Sequence, residues 1–282
     1  MIARFLSMLG VVAAFGAASA SAQSERDQNW QKCVNEGGTF APDIAVAGCT
    51  AIAESGEETT EALAAAFHFR GRIHSEQGRP DVAIADYDVA LKLNPEFAAA
   101  FHDRASAHGE MGQLDQAIED YDQAIRIEPT LASAFQNRGA AYFTKGDYER
   151  ALQDYDQAIR LSPDDATTWS SRCFAKALQG LAAQALPDCE QSLKLRPDDA
   201  YALNSRALVH LQLRNLAAAS ADSAAAVKGQ SGIAAWHYLF SLILAAQGNR
   251  AAADAQVEEA KKASEPAQFE QIRNEFDRFR PK

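Results

Sequence analysis

The sequence has few basic residues, few cysteines and, after its first 22 residues, no long apolar run. Lys and Arg number 27 against 38 Asp and Glu, which gives a net charge of −11. Such an acidic chain without long basic runs is a poor general nucleic-acid binder, because phosphate binding needs clustered Lys and Arg. Four cysteines in 282 residues are too few for a small disulfide-framework protein. A content of 47% hydrophobic and 23% charged residues still suffices to bury a core, which argues against wholesale disorder.

Motifs for catalysis are lacking as well. The sequence contains no G-x-S-x-G, no H-E-x-x-H, no C-x-x-C and no glycine loop of the phosphate-binding type. His68 and His102 are 34 residues apart and could lie side by side, but no carboxylate trio accompanies them. We interpret them as surface and core residues rather than metal ligands. The expectation is a protein that is not an enzyme, with no catalytic residue, cofactor or metal.

Residues 1–22 have the pattern of a secretory signal peptide. Arg4 precedes an apolar run from Phe5 to about Phe15, and the small residues after it fit the A-x-A cleavage pattern twice. We expect cleavage after Ala22; an uncleaved membrane anchor is the alternative. After cleavage no segment long and apolar enough to span a bilayer remains in the sequence, so the predicted location is the periplasm or the outside of the cell.

A period of 34 residues organises the rest of the chain. It appears in prolines, in turn glycines and in aromatic residues, namely Pro95, Pro129, Pro163 and Pro197; Gly78, Gly112, Gly146 and Gly180; and Phe67, Phe101, Phe135 and Trp169. Within each block the apolar and small residues follow helical spacing on both sides of the glycine, and the proline ends the second helix. Each block is therefore predicted to be a helical hairpin.

Blocks 64–97, 98–131, 132–165 and 166–199 resemble the tetratricopeptide repeat (TPR), in the variant typical of exported bacterial members. Blocks 200–233 and 234–267 resemble it more loosely. The resemblance rests on the small residues Gly71, Ala105 and Gly139, on the Ala and Tyr of the second helix, and on the closing proline. It implies an all-α fold, a right-handed superhelical solenoid of antiparallel helix pairs over residues 64–267, and no specific activity.

Two further series share the period. Arg70, Arg104, Arg138, Arg172 and Arg206 form one, and Asp86, Asp120, Asp154, Asp188 and Asp222 form the other. Each Asp follows its Arg by 16 residues, with the turn midway between them. We interpret the two series as structural ion pairs, either across each hairpin or between neighbouring hairpins. An anion-binding row is the alternative.

The four cysteines also fall at a spacing of 16, as Cys33 with Cys49 and Cys173 with Cys189. Among the three possible pairings, the equal spacing selects these two disulfides, each closing one hairpin. Buried free thiols are the alternative. The first pair extends the hairpin pattern to residues 23–63, as a divergent N-terminal hairpin.

In the family that the blocks resemble, the first helices line a concave binding surface. Carried over to this sequence, the predicted partner-binding groove consists of His68, Arg72, His102, Gln136, Phe143, Phe174, Leu178, Tyr201, Asn204, Leu208, Leu211, Tyr238 and Leu242. The lining changes from charged to apolar along the chain, and an exposed apolar strip marks a binding site. Inter-repeat packing, or cover by the chain's own tail, is the alternative.

The C-terminal residues 268–282 are predicted to form an amphipathic capping helix, because Phe269, Ile272, Phe276 and Phe279 fall on one stripe. Filling of the groove by this helix, or self-association through it, stays open.

The sequence thus predicts a non-catalytic periplasmic scaffold that binds a peptide or helix of a protein partner of unknown identity. It predicts no nucleic-acid partner. An oligomeric adaptor associated with the cell envelope, or an accessory subunit of a cell-envelope assembly enzyme, is the alternative.

Overall fold

The computed structural model describes residues 20–280, and their side chains from residue 25 onward. The predicted signal peptide lies almost entirely outside these residues. The described chain contains fifteen α-helices and no β-strand. It divides into two compact units, residues 1–113 and 114–282. In the first unit the helices are α1 Ala20–Val34, α2 Pro42–Glu54, α3 Thr60–Glu76, α4 Pro80–Leu93 and α5 Ala98–Glu110.

In the second unit the helices are α6 Leu114–Ile127, α7 Ala132–Thr144, α8 Tyr148–Leu161, α9 Ala166–Leu178, α10 Ala182–Leu195, α11 Ala200–Gln212, α12 Leu216–Gly229, α13 Ala234–Ala246, α14 Arg250–Lys262 and α15 Pro266–Phe276. Consecutive helices pack as hairpins, and each hairpin packs on the next within its unit. The predicted all-α fold of stacked helix pairs is therefore confirmed. None of the helices in residues 20–280 is long and apolar enough to cross a bilayer.

The turns show why the period produces hairpins. Gly146 has a φ of 78°, in the left-handed region that favours glycine, and it separates α7 from α8. Asp147 then caps α8 by accepting a hydrogen bond from the backbone N–H of Arg150. After the closing proline, Asp165 caps α9 in the same way through the N–H groups of Thr167 and Thr168. Turn and cap residues thus end one helix and begin the next.

Small residues on the first helices allow close helix packing. A Cβ atom added to Gly139 would lie 2.9 Å from Cε1 of Tyr155, and one added to Gly71 would lie 2.6 Å from Cε1 of Tyr87. These distances are shorter than carbon atoms tolerate, so the tyrosine ring occupies the space that a side chain would need. In these two blocks the absence of a side chain on the glycine is therefore what allows the tyrosine ring to pack there.

The N-terminal hairpin of α1 and α2 is closed by the disulfide Cys33–Cys49, with the Cα atoms 4.5 Å apart. Both sulfurs are buried beside Ala45 and Ile52. The second disulfide, Cys173–Cys189, joins α9 to α10 with a Cα separation of 5.4 Å. The structure has both bonds in the pairing that the equal spacing selects.

Candidate binding face

The first helices of successive hairpins lie side by side in each unit. In the N-terminal unit α3 contacts α5, and in the C-terminal unit α7, α9, α11 and α13 contact one another in order. We call the surface that they form the first-helix face. The residues predicted to line a groove all belong to these helices. Their relative positions therefore depend on the contacts that hold the helices in register.

That register depends on the arginine–aspartate series. Arg138 binds Asp154 through two parallel hydrogen bonds, from Nε at 2.9 Å and from Nη2 at 2.7 Å, and thereby joins α7 to α8. The same two-point contact is made by Arg70 with Asp86, by Arg172 with Asp188 and by Arg206 with Asp222. Such fork-to-fork geometry fixes direction as well as distance. Arg104 and Asp120 belong to different units, so their pairing stays a prediction.

Three arginines of the series also bind an aspartate of the preceding hairpin. Nη1 of Arg172 donates to Asp156 at 2.6 Å, and Nη1 of Arg104 donates to Asp88 at 2.6 Å. Arg138 makes the equivalent bond to Asp122. The pairs are thus formed both within and between hairpins. Sequence reasoning missed the second acidic series, although Asp88, Asp122 and Asp156 recur with the same period of 34.

Burial and aromatic contacts hold the guanidinium groups in place. Burial alone would lower the pKa of Arg138, but the hydrogen bonds and charges of Asp154 and Asp122 raise it above its ordinary value. The guanidinium carbon also lies 5.5 Å from the ring centroid of Phe135, which precedes it by one helical turn. Because every guanidinium of the series is bonded to carboxylates of the chain itself, the arginines tie the hairpins together and do not form an anion-binding row.

A carboxylate flanked by two histidines marks the first-helix face of the N-terminal unit. Nε2 of His68 lies 2.8 Å from Oδ2 of Asp103, and Nδ1 of His102 lies 2.9 Å from Oδ1. Burial would raise the pKa of Asp103, but the hydrogen bonds of His102 and His68 lower it well below its ordinary range. The predicted neighbourhood of the two histidines is present, and sequence reasoning missed the acidic residue between them.

The environment of this cluster is partly aromatic. The ring of His68 is buried and packs 4.8 Å from that of Phe97 and 5.8 Å from that of Tyr87, between centroids. Arg72, in contrast, is exposed and contacts Glu76 and the ring of Phe69. Among the described residues no group of three or more His, Cys, Asp and Glu side chains is placed to hold a metal ion.

The first-helix face of the C-terminal unit carries aromatic side chains that stay partly accessible. Phe143 and Phe174 are half-buried, with ring centroids 5.7 Å apart, and Gln136 is half-buried on the same face. Tyr201 is 57% exposed, and its ring meets that of Trp236 edge-on at 4.9 Å. These residues are at least partly accessible on this face, and their role in binding stays a prediction.

The remaining predicted lining residues are not accessible. Leu178, Asn204, Leu208, Leu211, Tyr238 and Leu242 are all buried. The expectation of one continuous exposed strip therefore needs correction for this part of the face. The physical reason is that the five apolar and aromatic side chains among them belong to one hydrophobic cluster of the stacked repeats, which also contains Phe269 and Phe276 of the tail.

The tail covers α13 through an aromatic and a polar contact. The ring of Phe269 meets that of Tyr238 edge-on, with centroids 5.7 Å apart. The Tyr238 hydroxyl donates to Asp277 at 2.7 Å, and Arg280 donates to the same carboxylate. Burial, assisted by the negative charge of Asp277, raises the pKa of Tyr238 to about 12. The C-terminal helix therefore caps the last hairpin and also covers the adjoining part of the first-helix face.

Solved structures with the same fold are similar to this chain over most of its length. A tetratricopeptide repeat protein from Parabacteroides merdae ATCC 43184 is 19% identical, with a TM-score of 0.67, over 91% of this chain and 99% of its own. PilF of Pseudomonas aeruginosa is 18% identical, with a TM-score of 0.64, over 77% of this chain and 100% of its own. YrrB, a TPR protein with an unusual peptide-binding site, is 20% identical, with a TM-score of 0.51, over 67% of this chain and 97% of its own. At such low identities the likeness establishes the fold alone.

Sequence comparison identifies the repeats. No curated protein matches the chain. Models described as tetratricopeptide repeat match residues 64–97, 132–165 and 179–232, and one described as TPR repeat matches residues 110–146. Together these matches cover about half of the 282 residues. The chain therefore belongs to the tetratricopeptide repeat family.

Proposed function

We propose that this chain is an exported, non-catalytic scaffold that binds a peptide or helical segment of a partner protein on the first-helix face of its C-terminal unit. Tetratricopeptide repeats are in general interaction scaffolds, and YrrB, which shares the fold, has a peptide-binding site. The observation that carries the proposal is that three aromatic side chains of these first helices, Phe143, Phe174 and Tyr201, stay at least partly accessible. Aromatic residues contribute large contact areas to protein interfaces at low entropic cost.

Export to the periplasm or the outside of the cell is part of the proposal. It is supported by the N-terminal pattern of residues 1–22 and by the two disulfides, since such bonds persist in oxidising compartments. The mature chain should begin at Gln23. Mass spectrometry of protein recovered from the periplasmic fraction or the medium measures this directly. A full-length chain retained in the cytoplasm would contradict it.

The binding face is tested by site-specific photo-crosslinking in the native host. A benzophenone amino acid replaces Tyr201 on the first-helix face and, as a matched control, Gln184, which is exposed on the second helix α10. The crosslinker reacts only with groups in direct contact, so the expected result is one defined adduct from position 201 and none from position 184.

A second variant separates binding from folding. Tyr201→Asp removes the most accessible aromatic ring and places a charge there, while the melting temperature should stay close to that of the unmodified chain because the side chain is mostly in solvent. The partner captured by the unmodified chain should then be lost. Equal adducts from positions 184 and 201, or a partner that Tyr201→Asp still retains, would place the binding surface elsewhere.

A further inference from the structure

A cavity of about 540 Å³ opens in the C-terminal unit, where the end of the tail meets the ends of α9 and α11. Its apolar lining includes Leu178 and Leu211, both buried. Three arginines surround it, Arg214 from the turn after α11 and Arg278 and Arg280 from the tail. Neither the predicted groove nor the arginine–aspartate network includes these three residues.

The positive charge at this cavity is only partly neutralised. Arg280 binds Asp277 at 2.7 Å, whereas Arg278 lies over the ring of Phe279 at 4.6 Å. Among the described residues, Arg214 and Arg278 have no carboxylate partner. Two guanidinium groups thus remain available beside an apolar surface, in a chain whose net charge is −11. The cavity is therefore a local region of positive potential, which attracts negatively charged groups.

Arg214 stands at a backbone position that is unfavourable for it. Its φ is 61°, whereas the equivalent turns have glycine, with φ between 70° and 82° at Gly78, Gly112, Gly146, Gly180 and Gly248. A non-glycine residue in the left-handed region costs about 1 kcal/mol or more. Backbone strain that local folding does not require is concentrated at functional sites. The strained position places the guanidinium at the cavity, where glycine would leave no charge.

Gln212 is a further residue that lines the cavity. Nε2 of Gln212 donates to the backbone oxygen of Ala177 at 2.8 Å, which fixes the orientation of the amide. Its Oε1 is buried and has no hydrogen-bond partner in the part of the chain that the structure describes. A buried acceptor without a donor is costly.

We propose that this cavity binds an acidic side chain of the partner's segment, with the carboxylate on Arg214 and Arg278 and an adjacent apolar residue against Leu178 and Leu211. The inference rests on the proposed function and narrows the partner to a peptide in which an Asp or Glu stands beside an apolar residue. Guanidinium groups bind carboxylates with two-point geometry.

The test begins with a phage-displayed library of random peptides selected on the purified chain, followed by fluorescence anisotropy with the enriched peptide. We expect enrichment of acidic residues next to apolar ones. Arg278→Gln should weaken binding of that peptide about tenfold, and Arg250→Gln, which removes an equally exposed charge outside the cavity, should leave it unchanged. Arg214→Gly is the decisive variant, since it should weaken binding while raising the melting temperature.

The outcomes separate this inference from the proposed function. Enriched peptides without acidic residues, equal losses in Arg278→Gln and Arg250→Gln, or no enrichment at all would overturn the acidic-site assignment. Capture of a partner through position 201 would then still support the first-helix face. If Arg214→Gly loses peptide binding while its melting temperature rises, the loss is not caused by destabilisation of the fold. That result supports the assignment.

Discussion

Replacing Asp154 with Asn tests the arginine network that holds the hairpins in register. The carboxylate accepts two hydrogen bonds from Arg138, and its side chain is only 8% exposed. Asparagine has nearly the same shape but carries no charge and only one acceptor oxygen. The guanidinium of Arg138 then keeps its bond to Asp122, on the preceding hairpin, and loses the two-point contact inside its own hairpin.

The magnitude follows from the burial of the two partners. A hydrogen bond to a charged group contributes about 1.5–3 kcal/mol, and removal of one partner of a fully buried pair costs about 3–5 kcal/mol. The side chain of Arg138 is 18% exposed and retains Asp122, so the larger figure does not apply. We expect the free energy of unfolding to fall by about 2 kcal/mol. For a chain of this size that corresponds to a fall of about 4–8 °C in melting temperature.

Thermal unfolding followed by circular dichroism measures the change. Glu149→Gln, an exposed carboxylate on the same helix, is the control for the loss of a surface charge. The reasoning is refuted if Asp154→Asn shifts the melting temperature no more than Glu149→Gln does.

Four further predictions concern other parts of the chain. Replacing Cys173 and Cys189 with Ser should lower the free energy of unfolding by about 3 kcal/mol in denaturant titration, because the disulfide joins residues 16 apart and so restricts the unfolded chain. An unchanged midpoint would contradict this. The folded-state pKa of Asp103 is lowered, so the stability that it contributes is present above its ordinary pKa of about 3.9 and is lost as pH falls through the lower folded value. In thermal melts below about pH 4, the Asp103→Asn variant should therefore lose less stability with falling pH than the unmodified chain does. An equal loss in both proteins would count against the two-histidine contact. Phe276→Ala should cost about 3 kcal/mol, because the ring is 4% exposed in the cluster under the tail; a loss typical of a surface residue, in the same denaturant titration, would show that the tail does not cap the array. Arg214→Gly should stabilise the chain by about 1 kcal/mol and raise the melting temperature by about 2–4 °C, because glycine adopts the left-handed turn without strain; a fall would mean that the turn depends on the arginine.

Much of the fold was predictable because each repeat unit is formed by residues that are close together in the sequence. A hairpin needs a turn glycine, a capping Asp and a small residue facing an aromatic one, and all of these lie within one period of the sequence. The period therefore identified the family and the all-α fold without any long-range information. The pairing of Cys173 with Cys189 was predictable for the same reason, because two residues equidistant from a turn lie level across an antiparallel hairpin.

The binding face was less predictable, because the accessibility of a side chain depends on what packs above it. Tyr201 and Leu208 belong to the same first helix, yet one is 57% exposed and the other is fully buried. Asp103 breaks the 34-residue pattern, and only the packing of α3 against α5 brings it between two histidines.

The sequence by itself determined the repeat, its turns, its caps and the spacing of its arginines, aspartates and cysteines, because these depend on residues close together along the chain. The tertiary structure decided three things that depend on distant residues. It showed that Arg138 and Arg172 each bridge two hairpins, that the tail covers part of the first-helix face, and that Arg214 and Arg278, 64 residues apart, meet at one cavity. The period records what recurs in every repeat, whereas these contacts arise where one hairpin meets the next and where the array ends.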